Sequence, residues 1–360
     1  MADEELGEGP ARAAPEALET GAGRGEAKVA AMVPLPGGRA RFRVPETAAL
    51  AGVLVLLFVF FSITSPYFLN DKNLINILQQ VARIGIVACP ATLLLIAGQF
   101  DLSVGSMAAF TGMLVAVAAA PVGVTKSSFA MGLPLDTAII IGFAGALFIG
   151  LVNAFSVTVL RINALITTLA TLAIFRGLTK VLGNGQTIIV SHFEGLGGTR
   201  VLGLPIPVYL LGLVTVIFFL ILRYTTYGRS MYAIGASPTA ARLAGIRTNR
   251  AVFIGFVLSA AFAGLAGLIL LSQLGAAAIT ASEGFELAVV TAVVHGGASL
   301  SGGRGGIIGT ILAVLIVGVM RNGMVQLGVQ SFWIEVAQGV LLLAAVGFDQ
   351  LRIRLTRSIA

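Results

Sequence analysis

From about residue 46 onward the chain alternates between apolar runs of some 20 residues and short polar or glycine-rich breaks. A helix needs about 20 apolar residues to cross a bilayer. The pattern therefore predicts ten spans, near 46–64, 74–97, 104–121, 137–158, 162–181, 205–222, 251–271, 285–301, 306–321 and 333–349. Residues 1–44 consist largely of Ala, Gly, Glu and Pro with few large apolar side chains, and a disordered tail is expected there. No secretory signal is expected, because the chain opens on Asp3, Glu4 and Glu5 and no apolar stretch follows them. Residues 45–350 then form the transmembrane domain, and 351–360 a short basic tail. The expected fold class is an all-α polytopic membrane protein with about ten transmembrane helices.

Two interruptions stand out. Tyr227–Arg250 is the longest polar stretch in the apolar region and carries Arg229, Arg242, Arg247 and Arg250 without one acidic residue. Within it, Pro238 suits a first helical turn, Ala240, Ala241 and Ala244 follow at helical spacing, and Gly245 suits a stop. A short helix outside the bilayer is predicted, with side chains small enough to sit deep in a partner's groove; an ordinary basic loop is the alternative. The second interruption, Gly98–Ser106 (GQFDLSVGS), is either a loop or a helix broken at membrane depth, and Pro90 and Gly98 favour a break.

Composition supports the membrane reading. Hydrophobic residues make up 57% of the 360 and charged residues only 11%, with a mean hydropathy of +0.97. A soluble domain carries about a quarter charged residues. The net charge of +7 would suggest nucleic acid in a soluble protein, but the 23 Lys and Arg cluster at span ends. With the N-terminus inside, sixteen of those 23 fall on cytoplasmic segments, among them Arg39, Arg41, Arg43, Arg161, Arg223 and Arg304. Both termini are then cytoplasmic. The single cysteine, Cys89, excludes an intrachain disulfide and reads as packing.

Polar residues at membrane depth are the candidate site. Asp101 is costly in lipid, about 2.5–3.5 kcal/mol even on lenient insertion scales, so it lines a cavity or has a partner. Asp101 and Ser103 can also cap the helix beginning near Val104. Glu286, with Ser282 and Glu283, opens a run that ends at His295, and both Glu286 and His295 are pathway candidates. Asn153, Asn163, Thr167, Thr168, Arg176 and Gln338 lie on apolar spans and need internal partners. No GxxxxGK[ST], GxSxG or HExxH occurs, and no Cys/His metal spacing, so neither a nucleotide site, a metal site nor an enzyme acting alone is expected.

GQFDLSVGS (Gly98–Ser106), GASPTAARLAGI (Gly235–Ile246), GFEL (Gly284–Leu287), HGGASLSGGRGG (His295–Gly306) and Arg321-Asn322-Gly323, in this order, resemble the permease subunit of bacterial ribose/xylose-type sugar ABC importers. That family is related to the branched-chain amino-acid permeases. The resemblance covers about residues 45–350 and implies a type II ABC importer-like permease in the bacterial cytoplasmic (inner) membrane. It implies pairing with a second permease copy or paralogue, an ATP-binding subunit that hydrolyses ATP, and an extracytoplasmic sugar-binding protein. ATPase coupling would fall to Gly235, Ala240, Ala241, Ala244 and Gly245. The substrate pathway would involve Gln99, Asp101, Ser103, Glu286 and His295. Gln99, Ala288 and His295 replace a Gly, an Asp and an aliphatic residue of the ribose-like pattern, which leaves the sugar open. A branched-chain amino-acid permease and an ion-coupled secondary transporter are the competing expectations.

Overall fold

The computed structural model describes residues 46–190, 193, 195–341, 343 and 347, all within one compact unit, Val44–Ala360. The tails 1–44 and 351–360, and His192, lie outside the described residues. Eleven helices are defined: α1 (Glu46–Thr64), α2 (Asp71–Ile96), α3 (Val104–Ala119), α4 (Leu135–Thr158), α5 (Ala164–Leu182), α6 (Ile206–Tyr224), α7 (Thr226–Ala236), α8 (Pro238–Leu243), α9 (Thr248–Leu274), α10 (Phe285–His295) and α11 (Ile307–Gln326). Residues 331–341 are helical as well. Two small antiparallel pairs qualify the all-α expectation. β1 (Ile188–Ile189) joins β4 (Ala276–Ala277), with Ile188 opposite Ala277, and β2 (Arg200–Val201) joins β3 (Leu204–Pro205).

Among the described residues, α1, α2, α4, α5, α6, α9 and α11 are long and apolar enough to cross a membrane. Two more predicted spans, α3 and α10, are apolar but only 16 and 11 residues long. Several ends differ from the pattern-based limits for identifiable reasons. α2 begins earlier because Asn70 caps it, accepting from the Lys72 N–H. Its turn at Pro90 does not break; the helix runs through to Ile96 and stops where Gly98 takes a φ of +72°. There the Gln99 N–H bonds the Leu94 carbonyl and the Gly98 N–H the Leu95 carbonyl, a Schellman ending. α10 stops at His295, before the predicted 301, because Gly296 and Gly297 follow it. α7 was not foreseen: Thr225 caps it, and Ser237 separates it from α8.

The interior is built on α2, α9 and α11. α3 and α4 pack against α9 and each other, α6 and α10 against α2, and α1 chiefly on α11. Close approach comes from small residues. Gly150 lies against Ala260 and the Phe256 carbonyl, and a β-carbon at Gly267 would overlap the backbone of Ala108. With no water in hydrocarbon, buried polar groups must pair internally. At one end of α2 and α11, Asn73 and Asn322 exchange amide bonds of 2.9 and 2.8 Å, and Gln326 adds a third at 2.6 Å. Near the other end, the Thr92 and Thr310 hydroxyls meet at 2.7 Å. α7 and α8 lie at the end of the bundle where α9 begins; the β1–β4 pair lies where α9 ends.

Candidate functional site: two helix breaks and a glycine junction

The first break is 97–103, between α2 and α3. Within it, Asp101 is 6% exposed. One carboxylate oxygen accepts from the Ser103 N–H at 3.0 Å and from the Ser103 hydroxyl, and the other accepts from the Ser259 hydroxyl at 2.7 Å. Asn153 on α4 donates to Ser103 Oγ at 2.9 Å, and Ser106 Oγ donates to the Ser103 carbonyl at 2.8 Å. Ser259 is the twelfth residue of α9, which places Asp101 about 16 Å along that helix at 1.5 Å per residue. Gly98–Ser106 is therefore a break at depth. Ser103 occupies the N-cap position of α3 but makes no side-chain cap, contrary to the expectation, because its backbone is already α-helical and its hydroxyl is committed to Asp101. Asp101 instead takes up the Ser103 N–H.

The second break leads into α10 through Ser282 and Gly284, both with positive φ, +59° and +72°. Glu286 sits in the first turn of α10, where the helix dipole favours a carboxylate. Arg176 of α5 holds this break. Its guanidinium donates to the carbonyls of Ala281 at 2.7 Å and Ser282 at 3.1 Å, and lies 3.9 Å from Glu286 Oε2. That oxygen is buried and has no hydrogen-bond partner. A more exposed pair, Lys180–Glu283 at 3.9 Å, lies beside it.

The two breaks meet. A β-carbon at Gly105 would run into Glu286 Oε2 and the Ser282 carbonyl, so only glycine fits there. The first turns of α3 and α10 are thus neighbours, with Asp101 and Ser103 on one side and Glu286 and Arg176 on the other. Asn153 Oδ1, next to Ser103, is a second buried acceptor without a partner. Of the predicted pathway residues, the structure brings together Asp101, Ser103 and Glu286. Gln99 instead lines a cavity of about 1010 Å³ between the break and the α8–α9 connection. His295 is at the opposite end of α10 from Glu286, about 13 Å away by helical rise, and its Nδ1 meets the Thr291 carbonyl of its own helix at 2.9 Å.

The predicted coupling residues divide by orientation. Ser237 caps α8, accepting from the Ala240 N–H at 3.2 Å, and Gly245 ends the turn with a φ of +82°. Ala240, Ala244 and Gly245 are exposed, whereas Ala241 is 3% exposed and packed on the bundle. Leu243, 86% exposed, is the large apolar side chain that α8 presents outward. Gly235 lies inside a junction of backbones: a β-carbon there would overlap the Ile96 carbonyl and the Gly303 N–H. Gly303 N–H also donates to the Ile96 carbonyl at 2.8 Å. The ends of α2 and α7 and the loop after α10 therefore touch without intervening side chains. Tyr227 donates to the Ala251 carbonyl at 2.9 Å and Tyr232 to the Gly305 carbonyl at 2.8 Å. Burial raises both phenols above their ordinary pKa, which keeps them protonated as donors.

Ser259, Arg161 and Leu243 were not singled out from the sequence. A lone serine in the apolar run of α9 was the available signal for the first; Arg161, with a φ of +59°, read only as a topology marker.

A polytopic helical bundle with broken helices meeting inside it has the form of a membrane permease. The chain belongs to the family described as branched-chain amino acid transport system / permease component, whose pattern matches residues 73–346. It is 38% identical over 301 residues to the ribose import permease protein of Bacillus subtilis, covering 82% of this chain and 90% of that one. The corresponding Escherichia coli K12 ribose protein is 38% identical over 310 residues, covering 84% and 93%. The L-arabinose transport system permease protein of the same strain is 37% identical over 319 residues, covering 88% and 94%. No solved structure matches.

Proposed function

We propose that this chain is the permease subunit of an ATP-driven importer for a monosaccharide or a similar small polar solute. It sits in the bacterial cytoplasmic membrane with about ten spans and both termini inside, and pairs with a second permease copy or paralogue. An extracytoplasmic sugar-binding protein delivers substrate at the β1–β4 end. The ATP-binding subunit docks on α8, through Leu243, Ala240 and Ala244, and hydrolyses the ATP; this chain holds no nucleotide. The observation that carries the reading is the glycine junction, through which the end of α7, joined to α8 at Ser237, bears on the end of α2 just before the break that holds Asp101. Movement of α8 is passed to the pathway through α7 and this backbone contact. Glu286 Oε2 and Asn153 Oδ1, buried acceptors that receive no hydrogen bond, suit the hydroxyl donors of a sugar. Asp101 and Ser103 shape the break, and Gln99 and His295 lie toward the cytoplasmic end.

The family description favours a branched-chain amino acid as the second reading, and the named relatives favour a sugar. Proteoliposomes containing the chain, its ATP-binding partner and its binding protein test the proposal. ATP-dependent uptake of labelled ribose or arabinose is expected. Uptake of leucine alone would move the substrate to the second reading. Uptake driven by a proton or sodium gradient without the ATPase would reject the importer.

A further inference from the structure

The cavity beside Gln99 has a lining of unusual chemistry. Its cations are Arg161, Arg242, Arg247 and Arg250, and no carboxylate lines it. Neither ion pair found among the described residues involves these arginines. Two helix N-termini open into it, those of α5 and α9. Arg247 is the N-cap of α9, and no side chain caps that helix. The dipoles of α5 and α9 add to the guanidinium field, and free N–H groups of a first helical turn are natural anion ligands. Arg161 reaches the cavity from a left-handed backbone conformation, rare for a residue with a β-carbon, which strains the α4–α5 turn. The same lining carries Gln99, Thr158, Asn163 and Asn249. Asn163 Oδ1 caps α5, the Thr158 hydroxyl donates to the Ala154 carbonyl and Asn249 Nδ2 donates to the Thr158 carbonyl. That leaves the Gln99 amide, the Asn163 amino group, the Asn249 amide oxygen and the Thr158 lone pairs for hydroxyls. A second cavity, of about 630 Å³ and lined in part by α7, has Arg223, Arg229 and Arg304 but no side-chain amide.

From this juxtaposition we infer that the cavity beside Gln99 binds a phosphorylated polyol, a small soluble phosphate monoester, on the cytoplasmic side. Guanidinium groups and the α9 N-terminus take the phosphate, since arginine matches phosphate geometry with paired donors. The amides and Thr158 take the hydroxyls. The volume is that of a small-molecule site. Because Gln99 and Phe100, at the start of the first break, form part of the wall, an occupied cavity holds that break in one position. Occupancy therefore slows import. This consequence rests on the importer reading; the binding itself does not. The ligand's source is the class of reaction that transfers a phosphoryl group to an imported sugar.

The test uses the purified full chain in nanodiscs of phosphatidylcholine, at fixed ionic strength, with ribose 5-phosphate as the probe. Saturable binding by calorimetry is expected, with ribose and chloride giving none and inorganic phosphate binding more weakly. Arg161→Gln and Arg247→Gln alter exposed side chains, and each is expected to weaken binding by about tenfold, the loss of a charge-assisted hydrogen bond. Equal responses to chloride and ribose 5-phosphate, or unchanged binding in both variants, would overturn the site. So would a response confined to nanodiscs containing phosphatidylglycerol, which assigns the arginines to lipid headgroups. Loss of ATPase co-purification in the variants, with no ribose 5-phosphate binding by the wild type, would assign them to the partner subunit. Binding without any effect on uptake retains the site and removes its link to import.

Discussion

The two breaks look alike in outline and differ in chemistry. Each places a carboxylate by the start of a short apolar helix, Asp101 before α3 and Glu286 in the first turn of α10. Asp101 is enclosed, has no cation, and has both oxygens occupied by Ser103 and Ser259. Glu286 is less buried, faces Arg176 at 3.9 Å, and keeps a buried oxygen without a hydrogen bond. A buried polar group with every bond made holds structure; one left unpaired is held for something else. Asp101 therefore secures the break, and under the proposed function Glu286 is the acceptor left for a ligand. The sequence pointed first to Asp101, because a lone aspartate in an apolar run is conspicuous, and to Glu286 as one pathway candidate beside His295.

The largest expected effect separates the two by stability. Asp101→Ala removes three hydrogen bonds and strands Ser259 Oγ and the Ser103 N–H, costing about 3 kcal/mol at roughly 1 kcal/mol each. Thermal unfolding in detergent is expected to show a clear fall in midpoint, much reduced in Asp101→Asn, which retains a carbonyl oxygen for Ser103. Equal midpoints for the Ala variant and wild type would remove the scaffold role. Next, Glu286→Gln is expected to change stability by less than about 1 kcal/mol, since the 3.9 Å pair is long and Arg176 keeps its bonds to the Ala281 and Ser282 carbonyls, yet to lower uptake by more than tenfold. Unchanged uptake would return Glu286 to a purely structural place. Ser259→Ala is expected to cost about 1 kcal/mol without changing the apparent affinity for substrate. Smallest of all, Lys180→Gln breaks only the half-exposed pair with Glu283 and is expected to shift stability by less than about 0.5 kcal/mol.

Seven of the ten predicted spans were legible because a 20-residue apolar run has few other readings, and α8 because Pro238 and Gly245 punctuate it. The depth of Gly98–Ser106 was not, since that segment has no basic residue to fix its side. Nor could spacing reveal that Asp101 pairs with Ser259, 158 residues later, or that Gly105 seats Glu286. Those contacts come from packing three helices through small residues. α8 has six residues, too few for periodicity to show that Ala241 faces the bundle while Leu243 faces out. An arginine at substitution site Ala241 therefore disrupts the permease itself, and Leu243→Asp is the cleaner probe of partner docking.

The division of roles between the breaks is tested most directly by reconstituting Asp101→Asn and Glu286→Gln side by side. ATP-driven uptake per folded molecule is measured together with the unfolding midpoint. Asp101→Asn is expected to transport near wild type with a lowered midpoint, and Glu286→Gln to keep its midpoint and lose transport. The reverse pattern, with transport lost in Asp101→Asn at full stability and retained in Glu286→Gln, would contradict it.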